Sequence, residues 1–142
     1  MLQDPPYGHT VRLPGVSFDD ARRRITEALK QEGFGVLTEI DVKATMKAKL
    51  DVEFRRYVIL GACNPHLAHK ALSMDLGIGL LLPCNVCVWE DEGGSVVSVI
   101  RPDAMFSVVK TEGLEPVVEE ADRRLRKALD AVRPQAESSP RR

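Results

Sequence analysis

The chain reads SFDDARRRITEALKQEGFGVLTEIDV over residues 17–42, and this stretch decides the fold class. Apolar side chains recur every three or four residues over 18–32, which predicts a helix with one buried face. Ser17 is placed to cap its first turn, and Gly33 can end it. Over 34–42 the apolar residues alternate with mostly polar ones instead, which is the period of a half-buried strand. A helix followed at once by such a strand indicates a domain of mixed α and β structure.

The segments on either side extend this pattern. They predict a strand over 8–14, a short helix capped by Asp41, a strand over 54–61, a short helix starting at Asn64-Pro65, a two-stranded hairpin over 79–100, and a last helix over 114–132. The prediction is therefore an α+β fold of the order β-α-β(4)-α, with a mostly antiparallel sheet, helices packed on one face and two short inserted helices. Residues 1–133 are expected to form a single domain, and 134–142 a disordered polar tail.

Composition limits the partners and the location. The 142 residues include 20 basic and 21 acidic side chains, for a net charge of -1. This balance predicts no nucleic-acid partner, because such binding is driven by neutralising phosphates. No apolar run reaches about 18 residues, so no membrane-spanning helix is expected. The first nine residues lack the apolar stretch of a signal peptide, which predicts a cytoplasmic protein with reduced thiols.

Asparagine is scarce, and both of its occurrences fall in unusual segments. The chain has only Asn64 and Asn85, while arginine and glutamate are frequent. This bias is typical of thermophilic proteins, and equally of a GC-rich genome. Each asparagine directly follows a cysteine, in GACNP at 61–65 and in LPCNV at 82–86. These two motifs are the segments least typical of generic packing.

The two motifs carry a resemblance to a known family. GACNP with Ala68, followed by GLLLPCNV at 79–86, resembles the signature of the domain-of-unknown-function family numbered 302, and GFGVLTEIDV at 33–42 fits the same family. The similarity extends over about residues 7–133. It implies an α+β domain of strand-helix-four strands-helix order, like the fold of the TATA-binding protein. It does not imply DNA binding, since folds do not carry functions, and the family supplies no catalytic residues.

The leading interpretation is a small-ligand-binding module. In it, Cys63, Asn64, Cys84 and Asn85 line one pocket between the sheet and a helix, where their amides and thiols hold a small polar ligand. The placement of the only two asparagines motivates this hypothesis. No cofactor is expected. Strands left at the edge of the sheet would favour a homodimer.

Two other functions remain open. The first is a thiol-based enzyme or sulfur carrier with Cys63 as the nucleophile, because Cys63 precedes a helix N-terminus, where the backbone dipole favours a thiolate. This hypothesis requires a lowered pKa of the Cys63 thiol. The second is a structural or protein-interaction domain whose motif residues only hold the fold, since free cysteines are commonly buried.

A redox or metal site has weaker support. Cys84 and Cys87 form a C-x-x-C motif, but they are predicted on a strand, where residues three apart face opposite sides. Cys63, His66 and His69 have zinc-ligand side chains at regular spacing. We expect no metal, and keep these three residues as the alternative, because no glycine-rich knuckle surrounds them.

Overall fold

The computed structural model describes residues 4–134 and contains five strands in one sheet. The strands are β1 (Gly8–Pro14), β2 (Gly35–Asp41), β3 (Tyr57–Cys63), β4 (Cys84–Asp91) and β5 (Gly94–Ile100). Their order across the sheet is β1-β5-β4-β3-β2, and each neighbouring pair is antiparallel. Consecutive strands β1 and β2 therefore lie at opposite edges of the sheet.

Helices separate and flank the strands. They are α1 (Phe18–Gln31), α2 (Val42–Leu50), α3 (Pro65–Met74), α4 (Pro102–Met105) and α5 (Glu115–Ala131). The Ser17 hydroxyl accepts a hydrogen bond from the Asp20 amide and so caps α1, and Gly33, with a φ of 84°, follows its last turn. The predicted α+β class, with an antiparallel sheet and the helices packed on it, is confirmed.

The core lies between the sheet and the two long helices. Leu60 of β3 stands opposite Val86 of β4, and both are fully buried. Ile25 of α1 and Leu125 of α5 belong to the same buried cluster. Because side chains alternate along a strand, the intervening residues point to the other face of the sheet. We call this the open face; it carries the half-buried side chains of Tyr57, Ile59, Cys87, Trp89 and Ser98.

The hairpin predicted over 79–100 is too long at its start. A 3-10 segment, Leu76–Leu81, precedes β4, which begins only at Cys84. Ile78 is buried in this segment, whereas Leu76 and Leu80 are almost fully exposed. A short apolar run cannot be assigned to a strand from periodicity alone, and this one forms a tight turn around Ile78.

Two further segments differ from the sequence prediction or fall outside the described chain. Short helical turns, α4 and the 3-10 segment Phe106–Val108, follow β5 where no element was predicted. Apart from Pro134, the predicted polar tail over 134–142 lies outside the described residues. Within residues 4–134, every helix is too short or too polar to cross a membrane.

Candidate functional site

The two cysteine-asparagine motifs meet at one end of the sheet. GACNP closes β3 and LPCNV opens β4, and these strands are antiparallel neighbours. Ala62 stands opposite Cys84, and Gly61 stands opposite Asn85. Motifs that are about twenty residues apart in the chain thus form one continuous structural unit.

Gly61 is held between a side chain of β2 and the proline of the second motif. A Cβ atom added at Gly61 would clash with Thr38 Oγ1 and would lie 2.7 Å from Cγ of Pro83. Neither distance leaves room for a methyl group. The glycine of the first motif is therefore required by the proline of the second, on the open-face side of the sheet.

Asn64 joins the start of α3 to the end of α1. Its Oδ1 accepts a hydrogen bond from the Leu67 amide at 3.2 Å, which caps α3. Its Nδ2 donates to the Glu32 carbonyl oxygen at 3.3 Å, and Arg124 of α5 donates to the same oxygen at 3.4 Å. The Asn64 side chain is buried. Its amide therefore has a structural role, with both of its polar atoms engaged.

A small cavity lies on the helix side of the motif junction. Its volume is about 40 Å³, and it is bounded by the end of the sheet, α3, α5 and the segment before α5. Cys63, Asn64 and Cys84 contribute to its wall. The rest of the wall is apolar and includes Phe34, Ala68, Leu82, Phe106, Val117 and Ala121. Three of the four residues predicted to share a pocket thus surround this cavity.

Asn85 is the exception, and the prediction that it shares this pocket needs correction. It follows Cys84 directly on β4, so its side chain points to the opposite face of the sheet. Cys84 is buried beside the cavity, whereas Asn85 is exposed. Strand alternation therefore separates the two asparagines, which were predicted to line one pocket.

The environment of the thiols is opposite to what a reactive cysteine needs. Burial raises the pKa of the Cys63 thiol above its ordinary value. Burial, together with the neighbouring Cys63, raises the pKa of the Cys84 thiol to about 12. Both groups are therefore neutral thiols at pH 7. The lowered pKa that the nucleophile hypothesis requires at Cys63 is not found.

We expect iodoacetamide to modify Cys63 slowly in the folded protein at pH 7. Because the thiolate is the reactive form and its pKa is raised, the rate should still be increasing as the pH passes 9.0, the ordinary value for this group. Cys84 should react more slowly still. The same chain unfolded in urea is the control, in which all three cysteines should react at a common rate. Rapid alkylation of folded Cys63 at pH 7 would reinstate the nucleophile.

The described residues form neither a metal site nor a redox site at the C-x-x-C motif. Between residues 4 and 134 there is no group of three histidine, cysteine or acidic side chains able to hold a metal ion. The alternative ligand set of Cys63, His66 and His69 is therefore not brought together; both histidines are exposed on α3. Cys84 faces the core and Cys87 the open face, as the strand period predicted. All three cysteines are free thiols.

Comparison with known proteins agrees with the motifs. Residues 9–132 match the family described as domain of unknown function DUF302. The chain belongs to the DUF302 family. It is similar to the crystal structure of an uncharacterised conserved DUF302 protein from Bacillus stearothermophilus, with 29% identity and a TM-score of 0.82, over 91% of this chain and 100% of that one. No curated protein matches the chain.

DUF302 membership defines the fold and indicates no specific biochemical function. One feature of the DUF302 motif unit was missed from the sequence, namely the packing of Thr38 and Pro83 on Gly61. A glycine inside a strand commonly marks a close approach of neighbouring groups. That signal was present at Gly61, but nothing in the sequence identified Thr38 as the partner.

Proposed function

We propose that this DUF302 domain binds a small, mainly apolar ligand in the cavity at the motif junction. The observation that carries the proposal is the cavity itself, whose wall is almost entirely apolar and which lies where GACNP meets LPCNV. Apolar cavities remain free of water and accept apolar guests. The ligand would lie between α3 and α5, on the helix side of the sheet.

The polar groups around the cavity favour an apolar ligand over the polar one expected from the sequence. The Asn64 amide already makes two hydrogen bonds within the protein. Cys63 and Cys84 are neutral thiols, which behave as small, weakly polar groups. A volume of about 40 Å³ corresponds to only a few water-sized sites, at roughly 10–15 Å³ each. The ligand is therefore a very small molecule or the apolar end of a larger one.

Filling the cavity should abolish binding. Short-chain alcohols are suitable probes, and we expect saturable changes in the amide chemical shifts of Ala62, Ala71 and Cys84 in the unmodified protein. Ala68→Leu, which places a larger side chain in the cavity wall, should remove these changes. Ala131→Leu is the matched control, because Ala131 is exposed near the end of α5 and should leave binding unchanged.

The ligand hypothesis fails if the alcohols cause no saturable shift, or if both variants respond like the unmodified protein. Ala68→Val provides a smaller addition if leucine prevents folding. Native mass spectrometry of protein purified without a metal-affinity tag would complement the titration. A bound molecule that remains with the protein would give its mass directly.

The second candidate function is a structural or interaction domain without chemistry. The roles of Gly61 and Asn64 favour it, because both motif residues are explained by packing and hydrogen bonding within the chain. The alcohol titration separates the two candidates. If only the interaction function exists, the cavity should remain without a ligand, and motif substitutions should act on stability alone.

We also propose four further properties of the protein that the sequence predicts. They are a single domain over 1–133, a cytoplasmic location, a homodimer and a thermophilic source. Their support is the shared core around one sheet, the three free cysteines, the edge positions of β1 and β2 in the sheet, and the scarcity of asparagine.

A further inference from the structure

An apolar surface is concentrated in the segment that contains β2 and α2. Five large apolar side chains in this segment are 40–68% exposed; we call them the 37–54 surface: Leu37, Ile40, Leu50, Val52 and Phe54. Scattered exposed apolar residues are ordinary in proteins, whereas contiguous patches commonly mark interaction sites. Here the five fall within eighteen consecutive positions of the chain.

The helix in this segment lacks the packing that normally stabilises a helix. α2 has nine residues, and none of its side chains is buried. Helices shorter than about 12–15 residues are marginal in water and depend on burying an apolar face. Asp41 caps the helix through the Ala44 amide at 2.9 Å, but a cap contributes only about 1 kcal/mol. Val42 and Met46 are only half-buried within the chain, so a partner that covers α2 would add burial that stabilises the helix.

The 37–54 surface continues onto the open face of the sheet. Ile40 stands opposite Ile59 of β3. The Phe54 ring lies 6.2 Å from that of Tyr57, which stacks on Trp89 at 5.3 Å. The apolar area thus extends from the edge strand across β3 to β4. None of these residues lines the ligand cavity, which lies on the other side of the sheet.

The charges within the surface identify the kind of partner. Lys47 contacts Asp51 at 2.9 Å and Glu53 at 3.2 Å, and Lys43 contacts Glu53 at 3.7 Å. These two lysines and two acids are thus paired with one another, and the segment 37–54 as a whole, with four acidic and three basic side chains, has no dominant sign. A nucleic acid or an acidic membrane would need a basic excess. An identical copy instead needs a surface without an excess of either charge. A two-fold axis places each patch against itself, so that like charges would repel.

We propose that the 37–54 surface, together with the adjoining open-face residues Tyr57 and Trp89, is the interface of a homodimer with two-fold symmetry. The partner is a second copy of this chain, and the same residues are contributed from both sides. The inference does not depend on the ligand proposal, since it concerns the other face of the sheet.

Sedimentation velocity from low to high micromolar concentration tests the interface. We expect the unmodified protein to be dimeric and Leu50→Glu to be monomeric, because the variant buries two unpaired carboxylates in the dimer. Leu80→Glu is the matched control: Leu80 is 92% exposed in the 3-10 segment, outside the proposed interface, and this variant should remain dimeric. A monomeric unmodified protein, a dimeric Leu50→Glu or a dissociated Leu80→Glu would each overturn the proposal.

Trp89 gives a second, independent measurement. It is the only tryptophan of the chain, and it lies on the open face. Acrylamide should quench its fluorescence more strongly in Leu50→Glu than in Leu80→Glu at the same concentration, because dissociation exposes the ring. Equal quenching in the two variants would contradict a dimer formed through this face.

Discussion

Gly61→Ala lowers the free energy of unfolding by about 3 kcal/mol, since overpacking of a close contact typically costs 1–3 kcal/mol and occasionally more. The added methyl group meets Thr38 Oγ1 and the Pro83 ring at the same time. The Pro83 ring is held in place because it directly precedes β4, and Thr38 Oγ1 can move away only if its side chain adopts another rotamer. Urea unfolding followed by circular dichroism would measure the loss.

Gly35→Ala is the matched control for this substitution. A Cβ atom at Gly35 has nothing within 4 Å, and Gly35 does not have a positive φ, so stability should change by no more than about 0.5 kcal/mol. Adding Thr38→Ala to Gly61→Ala removes one of the two clashes and should restore part of the loss. Equal stability of Gly61→Ala and Gly35→Ala would refute the packing of the two motifs.

Asn64→Ala should destabilise the protein by about 2 kcal/mol, because the variant loses a helix cap worth about 1 kcal/mol and one of the two hydrogen bonds to the Glu32 carbonyl, worth about as much. The Leu67 amide loses its side-chain acceptor, whereas the Glu32 carbonyl keeps the hydrogen bond from Arg124. Thermal and urea unfolding both report the effect. Asn64→Asp keeps the acceptor that caps α3 but not the donor to the Glu32 carbonyl. Its stability should therefore lie between that of the unmodified protein and that of Asn64→Ala.

The other motif supplies the control for this second prediction. Asn85→Ala is the same change after the second cysteine, at an exposed position of β4. Its effect should remain within about 0.5 kcal/mol, as for most surface substitutions. If Asn85→Ala were as costly as Asn64→Ala, the two asparagines would have equivalent structural roles, contrary to the geometry of the strand.

Elements with a clear period and a clear boundary could be predicted from the sequence. The pattern between Ser17 and Gly33 specified α1, because spacing, cap and stop residue all agreed. The prediction of a strand over 79–83 was wrong for the opposite reason. This segment is apolar without a period, so burial of Ile78 and exposure of its neighbours depend on contacts with α3 and α5 that only the fold supplies.

The candidate site was predictable only in part. The proximity of Cys63 and Cys84 follows from pairing β3 with β4, and the motifs themselves indicated the region. The position of Asn85 on the opposite face from Cys84 also follows from strand alternation, because adjacent residues of a strand point to opposite faces. The apolar character of the cavity did not follow, because Phe106 and Val117 come from segments distant in the chain.

The position of β1 imposes an order of assembly during synthesis. β1 pairs only with β5, so that Val11 stands opposite Val97. Residues 8–14 are synthesised before 94–100 and wait for them, which at about 5–20 residues per second takes roughly 4 to 17 seconds. The remaining strands can pair as they emerge, since each of those contacts spans a shorter loop. The first of the five strands to be made is therefore the last to be paired, and the sheet is completed only after residues 94–100 have been made.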